Sequence, residues 1–206
     1  MKGDKRKQAV DALKRDLILQ AASRVFETEG LEGASLRAIA AEAGYTPAAL
    51  YFHFASKEAL YAALLDRSLA ALKGEVDTAA AEASTPADRL LASALAFYRF
   101  YADNPRDLDL GFYLFRGGMK PRGLGEDHDQ ALNRALMAAL DPIGEAAESL
   151  GLTASARGPF LADLFAHMTG LLLLEHTGRI RMFGTSGKAL ITSHLEQLLA
   201  KLAPAH

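Results

Sequence analysis

Hydrophobic residues recur three and four positions apart along most of the chain, which is the spacing of amphipathic helices. The first such run covers residues 11–29 and ends at Gly30, which tolerates the positive φ of a helix end. The second run follows Ser35, a residue favoured as a helix N-cap, and it stops at Gly44. The beginning of the chain therefore predicts a long helix followed by a short one.

A third helix is predicted immediately after Gly44, and it is also short. Thr46 is a suitable cap and Pro47 suits a first turn, so this helix runs from Pro47 to about His53. Ser56 then starts the next helix, about ten residues after the previous start, which leaves room for only two to three turns. Two short helices joined by a tight turn that contains Gly are typical of a helix-turn-helix.

The rest of the chain continues in the same helical pattern, which predicts an all-α fold of about nine helices. A loop rich in Gly at 117–125 is predicted to be its most mobile part. The later helices are predicted over residues 56–83, 86–103, 105–115, 126–150, from 155 or 158 to 178, and 186–202.

One of these helices is apolar around most of its circumference between Phe160 and Leu174, and the final helix adds a further apolar stripe. Together they offer more apolar surface than one small domain buries. Pairing with a second copy of the chain in a four-helix interface would cover it. The residues predicted for this homodimer interface are Leu171, Leu174, Leu195, Leu198 and Leu199.

Side chains suited to DNA lie on and around the short third helix. Ala48 is small enough to allow close approach to base edges, whereas Tyr51 and His53 offer polar tips to phosphates. Lys57 offers a positive charge near a helix start, and Arg37 could reach a phosphate or a guanine. Each alone could equally be a capping, interface or solvated residue, and it is their joint spacing that favours DNA.

Residues 11–60 resemble the DNA-binding domain of the TetR family of bacterial transcriptional regulators, most specifically through the segment LYFHFASKEAL. The resemblance implies phosphate contacts for Tyr51, His53 and Lys57. Ala48 departs from the Gly of many members, so the operator sequence cannot be carried over. The residues that carry the resemblance are Phe26, Gly30, Ser35, Arg37, Ile39, Ala40, Gly44, Leu50, Tyr51, His53, Phe54, Ser56, Lys57, Glu58 and Leu60. The residues predicted to contact DNA are Ser35, Arg37, Thr46, Pro47, Ala48, Tyr51, His53 and Lys57.

The predicted organisation is a basic flexible arm at 1–10, a helix-turn-helix DNA-binding domain at 11–60 and a helical effector-binding and dimerisation domain at 61–206. The resemblance implies a homodimeric repressor that binds a pseudo-palindromic operator on double-stranded DNA and is released by a small-molecule effector. The alternative from another class is a helical ligand-binding protein or enzyme without a DNA role. Loss of DNA binding on changing Tyr51 and Lys57 to Ala would distinguish the two.

Composition and charge exclude some kinds of partner and some kinds of chemistry. A net charge of −2 argues against nonspecific coating of nucleic acid, although residues 1–15 hold six Lys or Arg against two Asp. That basic start could add phosphate contacts, or it could be a solvated tail. The chain has no cysteine, which excludes disulfides and thiolate chemistry. The charged start and the short apolar runs predict neither a secretory signal nor a membrane span, so a cytoplasmic location is expected.

No catalytic, metal-binding or cofactor-binding pattern is recognisable in the sequence, so an enzyme is not predicted. Asp163 and His167 share a helix face and could form a general-base pair, but a structural polar pair is the favoured interpretation. His167 could also supply a polar contact in a ligand pocket. The residues predicted to line an effector pocket between the helices are Phe97, Tyr98, Tyr101, Phe112, Tyr113, Phe165, His167 and Met168.

Overall fold

A computed structural model of the chain describes residues 2–111 and 123–202, with the side chains of 2–5 and 8 left out. Over these residues the regular structure is entirely helical, as the sequence predicts. It consists of α1 (Lys2–Gly33), α2 (Leu36–Glu42), α3 (Pro47–His53), α4 (Lys57–Glu82), α5 (Pro86–Asp103), α6 (Pro105–Gly111), α7 (Glu126–Ser149), α8 (Ala154–His176), the 3₁₀ helix η1 (Arg179–Phe183) and α9 (Gly187–Leu202).

Helix α1 is longer than its hydrophobic pattern predicts. It begins at Lys2, so residues 2–10 form helical turns where a flexible arm was expected. Most of residues 2–10 are Lys, Arg, Gln or Ala, which are good helix formers, and this composition allows the helix to extend to Lys2. Gly30 has φ 68° and ψ 175°, which kinks α1 and separates its last residues from the main helix.

The two short helices begin and end where the sequence predicts. The Ser35 hydroxyl oxygen accepts a hydrogen bond from the Ala38 N–H, and the Thr46 hydroxyl oxygen accepts one from the Ala49 N–H. Between the helices Gly44 takes φ 72°, a left-handed conformation that closes the turn. Capping by Ser35 and Thr46 is thereby confirmed.

The helices form two compact units. The first unit comprises the described parts of Met1–Arg67 and Asp109–Leu132, and the second comprises those of Ser68–Leu108 and Asn133–His206. This division differs from the predicted boundary at residue 60. The predicted boundary followed the end of the motif, whereas packing groups the first turns of α4 and of α7 with the helix-turn-helix.

The first unit holds the short helices against the inner face of α1. Ile18, Phe26, Ile39 and Leu50 are buried there, with at most 2% of each exposed. The rings of Phe26 and Tyr61 meet edge to face, with centroids 5.1 Å apart. The Tyr61 hydroxyl donates to the carbonyl oxygen of Leu110 at 3.1 Å. The core of this unit therefore fixes α2 and α3 to the long helix.

The core of the second unit joins α5, α8 and α9. The buried Tyr98 on α5 donates a hydrogen bond to the carboxylate of Glu175 on α8. Gly187, the first residue of α9, lies against this pair, and a Cβ atom there would stand 2.6 Å from a Glu175 carboxylate oxygen. Because Gly187 has no side chain, the start of α9 can approach the other two helices closely.

The residues predicted for a homodimer interface differ in their exposure within one chain. Leu171, Leu195 and Leu198 are buried within one chain, each with 9% or less of its surface exposed. Helical periodicity identified their apolar stripe but could not tell that α5 covers it. The large apolar side chains that α8 and α9 leave exposed are Leu173, at 51%, and Leu190, at 37%. Leu174 and Leu199 are half-buried.

Candidate nucleic-acid interface

Helix α3 has only seven residues and presents most of its surface to solvent. Leu50 is its buried residue, and it anchors the helix to the core of the first unit. Pro47 and Ala48 are exposed at its N-terminal end, where the small Ala side chain leaves the backbone accessible. A short helix with one anchor is a surface element available to a partner.

An aromatic pair occupies the C-terminal half of this surface. Tyr51 is 57% exposed and Phe52 is 90% exposed. The Phe52 ring lies 6.0 Å from the ring of the half-buried His53 in an edge-to-face arrangement. The sequence analysis did not single out Phe52, although an apolar residue between two predicted contact residues was a signal that could have identified it.

Ser35, Thr46 and Arg37 lie at the N-terminal ends of the two short helices. The two hydroxyl oxygens accept backbone hydrogen bonds as N-caps, which leaves each hydroxyl hydrogen available to a phosphate. Arg37 is exposed in the first turn of α2, and within the described part of the chain it forms no ion pair. This side chain therefore has all its donors available.

Lys57 has a role that the sequence did not predict. Its Nζ donates to the carbonyl oxygens of Leu31 at 2.8 Å and Glu32 at 3.1 Å, in the last residues of α1. These carbonyls lack partners within their own helix, and the ammonium group supplies them. Two of the three ammonium donors are thus used inside the protein, which leaves one for a phosphate.

Three of the residues predicted for an effector pocket, Phe97, Tyr101 and Phe165, form an aromatic cluster in the second unit. Phe97 meets Tyr101 and Phe165 edge to face at 5.3 and 6.0 Å, and Met168 is fully buried. Burial, followed by the hydrogen bond to Glu175 and its charge, raises the pKa of Tyr98. Burial, and then the charge of Asp107, raises that of Tyr101. Phe112 and Tyr113 lie outside the described residues.

His167 stacks on His194 of α9, with ring centroids 3.8 Å apart and an interplanar angle of 16°. The Nε2 atoms of both rings are buried and lack a hydrogen-bond partner within the described residues. Burial, and then the neighbouring His194, lower the pKa of His167, while Asp163 acts in the opposite direction. The predicted pairing with Asp163 thus accounts for only part of the surroundings of His167.

Two searches of residues 2–111 and 123–202 returned negative results. These residues contain no group of three or more His, Asp or Glu side chains that could hold a metal ion. None of the helices described over the same ranges is long and apolar enough to cross a membrane.

Comparison with known proteins gives a family match over the helix-turn-helix. Residues 18–64 match the family model of bacterial regulatory proteins of the tetR family. An uncharacterised HTH-type transcriptional regulator of Mycobacterium tuberculosis is 38% identical over 93 residues, which are 45% of this chain and 46% of that protein. The chain thus spans about half the length of the curated relatives it matches.

Likeness to solved structures extends over nearly the whole chain. SCO4313, a candidate regulatory protein, superposes with a TM-score of 0.76 at 21% identity, over 94% of this chain and 98% of that one. The transcriptional regulator FadR of Bacillus subtilis, solved in complex with stearoyl-CoA, gives 0.68 at 17% identity over 89% and 96%. At these identities the likeness shows the fold alone.

Proposed function

We propose that this protein is a sequence-specific DNA-binding transcriptional regulator. The premise is that it belongs to the TetR family of bacterial regulatory proteins, whose model matches residues 18–64. The observation that carries this proposal is the surface of α3. Tyr51 and Phe52 are exposed on a seven-residue helix whose buried anchor is Leu50. Exposed aromatic residues on a short helix have no role in the fold of one chain, whereas a major groove would cover them.

Each predicted contact has a chemical role in such a complex. Ala48 allows the backbone of α3 to approach base edges, and the apolar Phe52 suits the methyl group of thymine. Tyr51, His53 and Arg37 supply donors to phosphates, together with the capping hydroxyls of Ser35 and Thr46 and the remaining donor of Lys57. Phosphate contacts would fix the position of α3, and the contacts of α3 with bases would give sequence preference.

Homodimerisation is the second part of the proposal. The exposed Leu173 and Leu190 lie on α8 and α9, and contact with a second copy would remove both from water. Two copies related by a two-fold axis would carry two α3 helices to successive major grooves, with half-sites about 34–36 Å apart. The operator would then be a pseudo-palindrome.

A small-molecule effector is the third part. The buried aromatic cluster around Phe97 in the second unit would suit an apolar ligand. The regulator FadR of Bacillus subtilis, whose fold is similar, was solved with stearoyl-CoA, so a ligand with a long acyl chain is the candidate to test first. Such a ligand would act as the releasing signal of a repressor only if it bound the DNA-free conformation more tightly than the DNA-bound one.

Selection of bound sequences from a random DNA pool with the full-length protein tests the first two parts. The expected product is an enriched pseudo-palindrome, and failure to enrich any sequence would refute sequence-specific binding. Phe52→Ala should lower the base preference at one position of each half-site in the selected DNA, and it should leave the stability of the fold unchanged. Met182→Ala, which removes an 80% exposed apolar side chain in the second unit, is the matched control and should leave the preference unchanged. Sedimentation of the protein with the selected DNA reports the number of bound chains.

The effector is tested with stearoyl-CoA as the probe, added to the complex of the protein with its selected DNA. Release of the DNA at probe concentrations that saturate the protein would support an acyl effector. Unchanged DNA affinity in a protein that binds the probe would exclude it as the signal.

A further inference from the structure

A groove of about 410 Å³ is lined by residues of the first unit. The beginning of α7 and the start of α4 form two of its walls. One face of α4 contributes Ala59, Ala62, Ala63 and Asp66. One face of α7 contributes His128, Ala131 and Leu132. Arg15 of α1 and the end of α3, with His53 and Phe54, complete it.

Arg15 contacts the ring of Phe54, which also lines this groove. Its guanidinium carbon lies 4.3 Å from the centroid of that ring, over the ring. A cation in this position is attracted by the ring's π-system, and the contact uses none of the guanidinium N–H donors in a hydrogen bond. Over residues 2–111 and 123–202 no carboxylate pairs with Arg15. A bidentate acceptor such as a carboxylate would fit these donors.

The opposite charge is supplied by Asp66. It is exposed on the α4 wall, and in the described parts of the chain it has neither an ion pair nor a hydrogen bond. His53 and His128 add further polar groups beside Arg15 and Asp66, which supply one positive and one negative charge. A purely anionic ligand would be repelled by Asp66, and a purely cationic one by Arg15.

The rest of the lining is apolar and mostly flat. Five alanines, Phe54 and Leu132 form it, so an apolar ligand body could lie close to the helix backbones. The volume falls within the range of about 300–1,000 Å³ that small-molecule sites occupy. We infer that this groove binds a small zwitterion with an apolar side chain, chemically an α-amino acid, with its carboxylate on Arg15 and its ammonium on Asp66. This inference goes beyond the proposed function and requires no DNA.

Titration calorimetry of the full-length protein with three probes of one apolar body tests the inference. L-phenylalanine carries both charges, 3-phenylpropanoate only the carboxylate and 2-phenylethylamine only the ammonium. The expected order is L-phenylalanine first, with each analogue at least about tenfold weaker, because each leaves one charged wall without its partner. Equal affinity for the three probes, or no binding of L-phenylalanine up to its solubility limit, would overturn the inference.

Variants of the two charged walls locate the site. Arg15→Gln and Asp66→Asn should each weaken L-phenylalanine binding at least about tenfold, by loss of one charged hydrogen-bonding partner. Arg24→Gln on α1 and Asp77→Asn on α4 are matched controls outside the groove and should bind normally. Circular dichroism establishes that all four variants are folded. Binding that both groove variants leave intact would place the ligand elsewhere and refute the assignment.

Discussion

The Nζ of Lys57 lies 2.8 Å from the carbonyl oxygen of Leu31, so the first residue of α4 closes the end of α1. The same ammonium reaches the carbonyl oxygen of Glu32 at 3.1 Å. A residue that the sequence assigned to a phosphate therefore has a structural role in holding the first unit together. The two roles make different predictions.

Replacement of Lys57 by Met should lower the free energy of unfolding by about 1–3 kcal/mol, the usual range for losing charged hydrogen bonds to carbonyl groups. The measurement is urea unfolding followed by circular dichroism. Arg37→Met removes a positive charge without an intramolecular partner among the described residues, and it should leave stability unchanged.

The salt dependence of DNA affinity tests whether Lys57 also contacts a phosphate. If the third donor of Lys57 reaches a phosphate, Lys57→Met should reduce the slope of log affinity against log salt concentration. The reduction should equal the contribution of about one phosphate contact. A reduced slope without any loss of stability would contradict the capping role.

Tyr51→Phe removes one hydroxyl from the exposed surface of α3. Its side chain is 57% exposed, so the melting temperature should not change. DNA affinity should fall about five- to tenfold at every sequence, since a phosphate contact is worth about 1 kcal/mol and carries no base information. Fluorescence anisotropy with the selected operator and with a scrambled duplex measures this. A loss confined to the operator would instead assign Tyr51 to base recognition.

Gly187→Ala should destabilise the second unit by about 1–3 kcal/mol, because the added Cβ collides with the Tyr98 hydroxyl and the Glu175 carboxylate. Thermal unfolding by calorimetry provides the measurement. Gly74→Ala is the control: that Cβ would meet nothing within 4 Å, so the substitution should be neutral or stabilise α4 by up to about 1 kcal/mol. Equal effects of the two substitutions would show that α9 does not depend on this close approach.

The stacked His167 and His194 predict that stability falls as the solution becomes acidic. In the unfolded chain His167 takes up its proton near its ordinary value of 6.5, whereas burial and His194 lower its pKa in the folded chain. The unfolded state therefore binds more protons just below that pH. The stabilisation is fully present above pH 6.5 and is lost as the pH falls through 6.5 towards the folded value.

The measurement is the free energy of unfolding between about pH 7 and pH 5, the range in which histidine titrates. His167→Gln should give a shallower curve than the natural chain, while His128→Gln, in the first unit, should not. Parallel curves for the natural chain and His167→Gln would contradict the role given to the histidine pair.

Local chemistry explains why much of the fold was predictable. Ser35 and Thr46 cap their helices through their own hydroxyls, and Gly44 closes the turn because it tolerates a positive φ. These features depend on residues at most four positions apart, so the sequence carries them directly. The surface of α3 was predictable for the same reason, except that Phe52 was not among the predicted contact residues.

Contacts between distant parts of the chain were not predictable. Lys57 meets Leu31 across 26 positions, and Arg15 of α1 lies over the ring of Phe54, which follows α3. A hydrophobic stripe likewise indicates that one face of a helix is buried, but it does not identify the helix or chain that buries it. For this reason Leu195 looked like an interface residue although the chain itself buries it.

The single buried residue of α3 has an evolutionary consequence. Leu50 acts as the pivot of a seven-residue helix, and Phe54, whose N–H donates to the Leu50 carbonyl oxygen, fixes its far end. A change of one methylene at Leu50, or in the core beneath it, would tilt the whole exposed surface of α3 at once. If α3 binds DNA as proposed, core substitutions could give related proteins new operator preferences while the exposed side chains of α3 stayed the same.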